Sequence, residues 1–284
     1  MSEKEPQWGS AIWFDNLYSE QKTDSSTAYF SYDKNGYQKF RHARLGTLIA
    51  SQNTMFQADP VLIDVGCATG HLTLIISDVL GARNVSGVDF SQELLKAAKN
   101  NFPHIRFLLG GLPTLPLEDE VANVVSLVEV LYYVDKDKRP TSIAECARIL
   151  KTDGILIFAA NVQRHPYLTR NEVVKILSGN GFKIEKTFAE SYGLAVLGEG
   201  MLMRAHRLFQ RVLKHAVASN HKRRFLAKTL PYLQNPVGRI VARFGIAFIE
   251  RLISYKKLFS FLALLNRVIP GNHASHLVVF ARKA

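Results

Sequence analysis

The run Asp64-Val-Gly66-Cys67-Ala68-Thr69-Gly70-His71-Leu72 sets three small residues at alternate positions, and Asp89 lies 19 residues beyond Gly70. Small residues in such a turn let the backbone bend tightly and let a ligand approach the main chain. A helix opening directly after the turn presents N–H groups that suit an anionic group. A carboxylate at Asp89 could accept both hydroxyls of a ribose. Together these residues point to a nucleotide-type cofactor. The spacing departs from the dinucleotide fingerprint G-x-G-x-x-G, whose third glycine would fall at His71. The alternative is an ordinary strand-turn-helix that binds nothing.

Chemistry of this kind needs a strand ahead of the glycines, a helix behind them and a second strand ending at Asp89. The sequence predicts all three. Residues 61–65 are a β-branched run that reads as a buried strand, His71 to Leu80 reads as a helix, and Asn84 to Val88 reads as a strand. Ser91 is a plausible helix cap with Glu93 two residues on, and its helix runs to Asn100. Further strands are expected at Ile105–Leu109, Val121–Leu127, Gly154–Ala160, Phe182–Phe188 and His276–Arg282. Further helices are expected at Gly36–Ser51, Arg139–Leu150 and, behind a Thr169 cap, Arg170–Gly179. This alternation predicts a doubly wound α/β fold, a mostly parallel sheet covered on both faces.

The chain has 284 residues and 47% hydrophobic content, enough for one large core or for one core plus an appended subdomain. Two distant cysteines, Cys67 and Cys146, make neither a metal pattern nor a disulfide framework, so a reducing, cytoplasmic setting is expected. No basic start followed by an apolar stretch suggests a secretory signal, and no apolar run reaches the roughly 20 residues of a membrane span. Net charge is +12, and all of the excess lies in residues 196–272, with 14 basic against two acidic residues. The expected organisation is an N-terminal lid (1–50), a core (51–195), a basic helical insertion (196–272) and the last strand of the core sheet (273–284).

Four motifs resemble, in order and spacing, the class I S-adenosylmethionine (SAM)-dependent methyltransferases, in particular the branch of quinone-biosynthesis and other small-molecule enzymes. Asp64 to Gly70 matches that family's first motif, and Gly87-Val-Asp89-Phe90-Ser91 its acidic post-motif. Gly110-Gly-Leu-Pro-Thr-Leu-Pro-Leu117 resembles the loop after its third strand, and Ala147-Arg-Ile-Leu-Lys-Thr-Asp-Gly154 the turn before its fifth. The resemblance covers about residues 60–160. It implies a seven-stranded, Rossmann-like methyltransferase sheet, with the basic segment inserted before the last strand. By resemblance, Gly66, Ala68 and Gly70 surround the methionine part of SAM, Asp89 holds the ribose and Phe90 packs on the adenine. Gly111 and Leu112 pass the adenine edge, with the Leu112 N–H as donor. Asp64, Val128 and Tyr37 complete the expected cofactor set, and no metal is expected. Three departures stand out. Ala68 replaces a common glycine, Gly111 stands where an Asp often bonds the adenine amine, and Thr152-Asp153 replaces Pro-Gly in a turn.

Methyl transfer from a sulfonium has an excellent leaving group, so a protein mostly aligns the reactants and excludes water. A general base helps only where the acceptor must lose a proton. Candidate catalytic residues lie after the fourth and fifth strands: Glu129, Tyr133 and His165, the last because histidine titrates near neutrality. Each has a plain alternative as a cap, a core aromatic or a solvated loop histidine. Tyr29, Tyr32 and Tyr37, with Arg41 and Arg44, could form a lid, one arginine pairing with the SAM carboxylate, or simply a surface helix.

The basic insertion shows an amphipathic period: Met201, Ala205, Leu208, Val212 and Ala216 oppose Arg204, Arg207, Arg211 and Lys214. It reads as a helical cap, as a surface for an anionic membrane or lipid-linked acceptor, or as an RNA-binding face. RNA ranks last, since no RNA module is recognisable and the aromatics lie on the apolar side. The functional expectation is a SAM-dependent methyltransferase acting on a small-molecule or lipid-like acceptor, with peripheral membrane association a further expectation. The alternatives are an RNA methyltransferase and a non-catalytic protein of the same fold.

Overall fold

The computed structural model describes residues 10–16, 35–162, 168–190 and 275–284, together with 201, 251, 255, 257, 258 and 261. Expectations for Tyr29, Tyr32, His165 and most of the basic insertion lie outside the described residues. The chain divides into two compact units, one of residues 1–20, 42–192 and 271–284, the other of residues 21–41 and 193–270.

In chain order the described elements are α1 (residues 11–16), α2 (Gly36–Ala50), β1 (Leu62–Val65), α3 (His71–Leu80), β2 (Val85–Asp89), α4 (Gln92–Asn101), β3 (Arg106–Leu109), β4 (Ala122–Val128), α5 (Arg139–Ile149), β5 (Leu150–Asn161), α6 (Arg170–Gly179), β6 (Phe182–Glu190) and β7 (His276–Lys283). The seven strands form one sheet in the order β3-β2-β1-β4-β5-β7-β6. The first five pair in parallel, and β7 runs antiparallel to both β5 and β6. Strand order reverses direction between β1 and β4, the switch point at which open α/β sheets leave a crevice beyond their carboxyl ends.

Alternation along the strands sends side chains to two cores. Leu62, Val124, Ile155, Ile157, Val278 and Phe280 pack with Leu45, Leu48 and Ile49 of α2 and Ile76 of α3. Ile63, Val65, Val125, Leu127, Leu156, Phe158 and Val279 pack with Ile143, Cys146 and Ile149 of α5 and Val173 and Leu177 of α6. Both faces of the sheet are therefore closed, and its functional groups collect at the carboxyl edge.

Local chemistry fixes the helix starts. Ser91 Oγ accepts from the Leu94 N–H at 3.2 Å and begins α4. Thr169 and Glu172 form a reciprocal capping box at α6. Strand β5 begins at Leu150, earlier than the apolar run indicates, because it pairs with β4 through a register shift near Ala122. Asp153 carries φ 62° in that stretch, a left-handed conformation that explains the glycine usual in the motif it departs from.

Candidate cofactor crevice

The turn after β1 is pinned to the neighbouring strand. The N–H groups of Gly66 and Cys67 both donate to the Val88 carbonyl, at 2.7 and 3.1 Å. Gly66 has φ 78° and Gly70 has φ 81°, so both occupy the left-handed region that favours glycine. A β-carbon on Gly66 would stand 2.2 Å from Val130 Cγ2, which leaves no space for any side chain at the floor of the turn. Ala68 adopts φ 47° despite its methyl group, a strained conformation for a non-glycine residue.

That strained residue brings the two motifs together. The Ala68 N–H donates to Asp89 Oδ2 at 2.9 Å, and the Ser91 N–H donates to Asp89 Oδ1 at 3.0 Å. Asp89 is almost fully buried, and desolvation pushes its carboxyl up to about 6 in spite of these hydrogen bonds. A buried carboxylate held by backbone donors keeps further lone pairs for hydroxyl donors of a ligand.

Asp64 is buried as well but faces inward. Its oxygens accept from Thr73 Oγ1 of α3 and Ser126 Oγ of β4, each at 2.6 Å. Desolvation raises its pKa, and the two hydroxyl bonds act against that rise. Its geometry ties β1, α3 and β4 together beneath the turn. Cys67 lies within the turn, but burial, and then the charges of Asp89 and Asp64, raise its thiol well above the usual range. Thiolate chemistry there is disfavoured.

Beyond β2, Phe90 is half-buried, and a β-carbon on Gly111 would come within 3.1 Å of Phe90 Cβ. Gly111 therefore runs close beside Phe90. Val128, the last residue of β4, is half-buried, and Glu129 just beyond it has φ 60°. Such outliers collect where a site holds the backbone against its preference. Glu129 Oε2 accepts from Tyr132 Oη at 2.8 Å, and Oε1 lies 3.7 Å from His276 Nε2. The Glu129 and Tyr132 side chains therefore engage each other, while Tyr133 turns toward Phe14.

Residues 10–16 were not singled out by sequence reasoning, yet they stand at this edge. Phe14 packs edge-on against Phe90 at 5.5 Å and against Tyr133 at 5.1 Å between centroids. Asp15 accepts from Ser91 Oγ and, at 3.3 Å, from the Glu93 N–H. The signal that could have found them is the Trp13-Phe14-Asp15 triplet, two large aromatics within a polar stretch. Arg44, a candidate partner for the SAM carboxylate, instead makes a two-pronged contact with Glu190 at 2.8 and 3.1 Å. Tyr37 belongs to the other compact unit, where the Arg41 guanidinium lies over its ring at 5.6 Å.

A family model described as a methyltransferase domain matches residues 62–154, from the start of β1 into β5. The Ubiquinone/menaquinone biosynthesis C-methyltransferase UbiE of Campylobacter jejuni is 31% identical over 104 residues, 35% of this chain and 43% of that protein. The malonyl-[acyl-carrier protein] O-methyltransferase of Pectobacterium atrosepticum is 30% identical over 98 residues, 34% of this chain and 37% of that protein. The chain thus spans less than half the length of these curated relatives. The crystal structure of the N-methyltransferase NodS from Bradyrhizobium japonicum, in complex with S-adenosyl-L-homocysteine, shares the fold with TM-score 0.50 and 19% identity, covering 61% of this chain and 90% of that one. These three proteins are named for three different methylated atoms, so a shared core does not choose the acceptor.

Proposed function

We propose a methyl transfer, on the premise that residues 62–154 are a class I SAM-dependent methyltransferase domain. The observation that carries the reading is the 2.9 Å bond from the Ala68 N–H to Asp89 Oδ2, which joins the turn after β1 to the carboxylate ending β2. These are the two groups a nucleoside cofactor with an anionic amino-acid tail would need in one place. Asp89 would accept the ribose hydroxyls, Phe90 with Gly111 and Leu112 would flank the adenine, and the turn from Gly66 to Gly70 would face the methionine portion. Asp64 would act from below by holding the turn in place. When bound, SAM supplies an activated methyl on a sulfonium. The chain's part is to align the acceptor with it and keep water out, and the Phe14, Phe90 and Tyr133 cluster supports that second role.

For the acceptor we propose a small apolar or lipid-linked molecule. In the second unit, Met201, Tyr255 and Phe261 are all more than half exposed, within the segment that carries the whole basic excess. Apolar side chains interspersed with cations suit an anionic lipid surface better than RNA, which favours aromatic stacking platforms in a basic groove. Among the described residues no helix is long and apolar enough to cross a membrane.

The test begins with calorimetric titration of the purified chain with SAM, where saturable binding is expected. Absence of binding at high protein concentration would reduce the domain to a non-catalytic member of its fold. Incubation with methyl-labelled SAM and two acceptor pools, a total lipid extract and total RNA, then separates the acceptor classes. Label in the organic phase is expected, and label confined to RNA would overturn the lipid-like assignment.

A further inference from the structure

The last strand delivers a histidine to the crevice edge that sequence reasoning passed over. His276 opens β7, is 5% exposed and lies opposite Asn161 of β5 and Glu190 of β6 in the sheet register. Residues directly opposite share one face of a sheet, so these three side chains form a row. Glu190 at one end is bound by Arg44. On the ring itself, Nδ1 lies 2.8 Å from Ser275 Oγ, and Nε2 lies 3.7 Å from Glu129 Oε1. That second separation is too long for a hydrogen bond but suits an ion pair once the imidazole is protonated. Glu129 is in turn fixed by Tyr132 Oη and by its own N–H, which donates to the Ala159 carbonyl at 2.8 Å. Its left-handed backbone turns it out of the path of β4 at the switch point.

We propose that Glu129 and His276 form a proton-accepting couple for the acceptor, and that the acceptor is therefore one that loses a proton on methylation, a phenol, an enol or a carbon acid. The inference rests on the methyl-transfer reading. An acceptor carboxylate is already ionised near neutrality and needs no such couple. With an X–H acceptor, the X–H bond breaks and leaves its electron pair on X. The X–CH3 bond forms as sulfur keeps the electrons of the broken S–C bond, and the proton goes to the Glu129 carboxylate. That proton neutralises Glu129 and passes to solvent on product release, while the His276 ring 3.7 Å from Oε1 holds the carboxyl group in place. Glu129 is the catalytic residue of this proposal, and His276 is the positioning residue behind it. Among the described residues, charged groups that face the imidazole include Glu129 from the tip of β4 and, across β6, Glu190 with its partner Arg44.

Histidine-labelled protein followed by NMR across pH 5–9 tests the couple without turnover. The His276 signal is assigned by its loss in His276→Gln, and the protein is titrated with S-adenosylhomocysteine bound and again with SAM bound. The two ligands differ by one methyl and one positive charge. If the couple faces the reacting sulfur, the His276 midpoint falls by about half a pH unit or more when SAM replaces the neutral product. Glu129→Gln should lower the midpoint in the product complex as well, because it removes the anionic partner. Coincident midpoints with the two ligands, or no response to Glu129→Gln, would overturn the proposal and leave the methyl-transfer reading standing. Failure of both ligands to bind would instead remove the methyl-transfer reading beneath it.

Discussion

Two almost fully buried aspartates, Asp64 within β1 and Asp89 at the end of the neighbouring parallel strand β2, are held in opposite ways. Asp64 accepts from two side-chain hydroxyls, Thr73 and Ser126. Asp89 accepts from two backbone N–H groups, Ala68 and Ser91. A hydroxyl rotates and can either donate or accept, whereas a backbone N–H can only donate. The surroundings of Asp64 therefore tolerate a neutral donor in its place, and those of Asp89 do not. One carboxylate fastens elements together. The other couples the glycine turn to the second strand and looks onto the crevice.

The largest expected effect follows from that asymmetry. Asp89→Asn sets an amide NH2 against one of two backbone donors, so one buried bond is lost and replaced by a donor facing a donor. The expected cost is about 1–3 kcal/mol of stability, with a loss of SAM affinity on the order of 100-fold. In Asp64→Asn, Thr73 or Ser126 can turn to accept, and less than about 1 kcal/mol and little affinity should be lost. Chemical denaturation and calorimetry on the two variants, side by side, measure both quantities. Equal losses would erase the distinction drawn between the two sites.

The sequence made the elements of this comparison readable but not the difference itself. Strands β1 and β4 show as short, largely apolar runs and β2 as a short stretch closed by Asp89, and α3, α4 and α6 show through Gly70, Ser91 and Thr169 at their starts. Asp64 and Asp89 are the same residue type in the same kind of position, and only their partners tell them apart. Ser126 lies three strands further along the sequence and comes within reach only once β4 pairs beside β1. The same reason hid His276, whose approach to Glu129 depends on an antiparallel return strand closing beside β5. Residues 10–16 carried too short a pattern to announce a docking helix, and their placement comes from contacts with Phe90, Ser91 and Tyr133. Arg44 looked available for a ligand because its partner, Glu190, is supplied by the far edge strand.

Titration sharpens the contrast at an intermediate size of effect. Burial brings the Asp89 carboxyl up to about 6, above its value in an unfolded chain. An acid whose folded pKa is raised holds its proton more tightly when folded. Its contribution therefore favours the fold below the unfolded value of 3.8 and is lost as pH rises through about 6. Ligand binding has the opposite sign, because ribose hydroxyls donate to the ionised form. SAM affinity should hold steady above pH 7 and fall about tenfold per unit below pH 6. The charge of Asp64 is among the causes that raise Asp89. In Asp64→Asn the fall in affinity should therefore begin at a slightly lower pH. A flat affinity profile from pH 7 to 5 would mean that the Asp89 proton is not linked to the ligand.

The smallest effect concerns the residue that links the two motifs. Ala68 adopts φ 47° with a methyl group, while its N–H makes the bond to Asp89. The left-handed region costs an alanine roughly 1–2 kcal/mol, and glycine would remove that cost. Glycine also gains freedom in the unfolded chain, which offsets about 0.4–1 kcal/mol of the relief. The net expectation for Ala68→Gly is a stabilisation of about 0.5 kcal/mol, read by chemical denaturation, with SAM affinity unchanged because the backbone donor to Asp89 is kept. The corresponding change beneath the turn, at Asp64, should show no such gain, since nothing there is conformationally strained. A clear destabilisation by Ala68→Gly would mean that the methyl group makes a contact worth more than the strain it imposes, and the turn would then be held by packing at Ala68 rather than by its bond to the second strand.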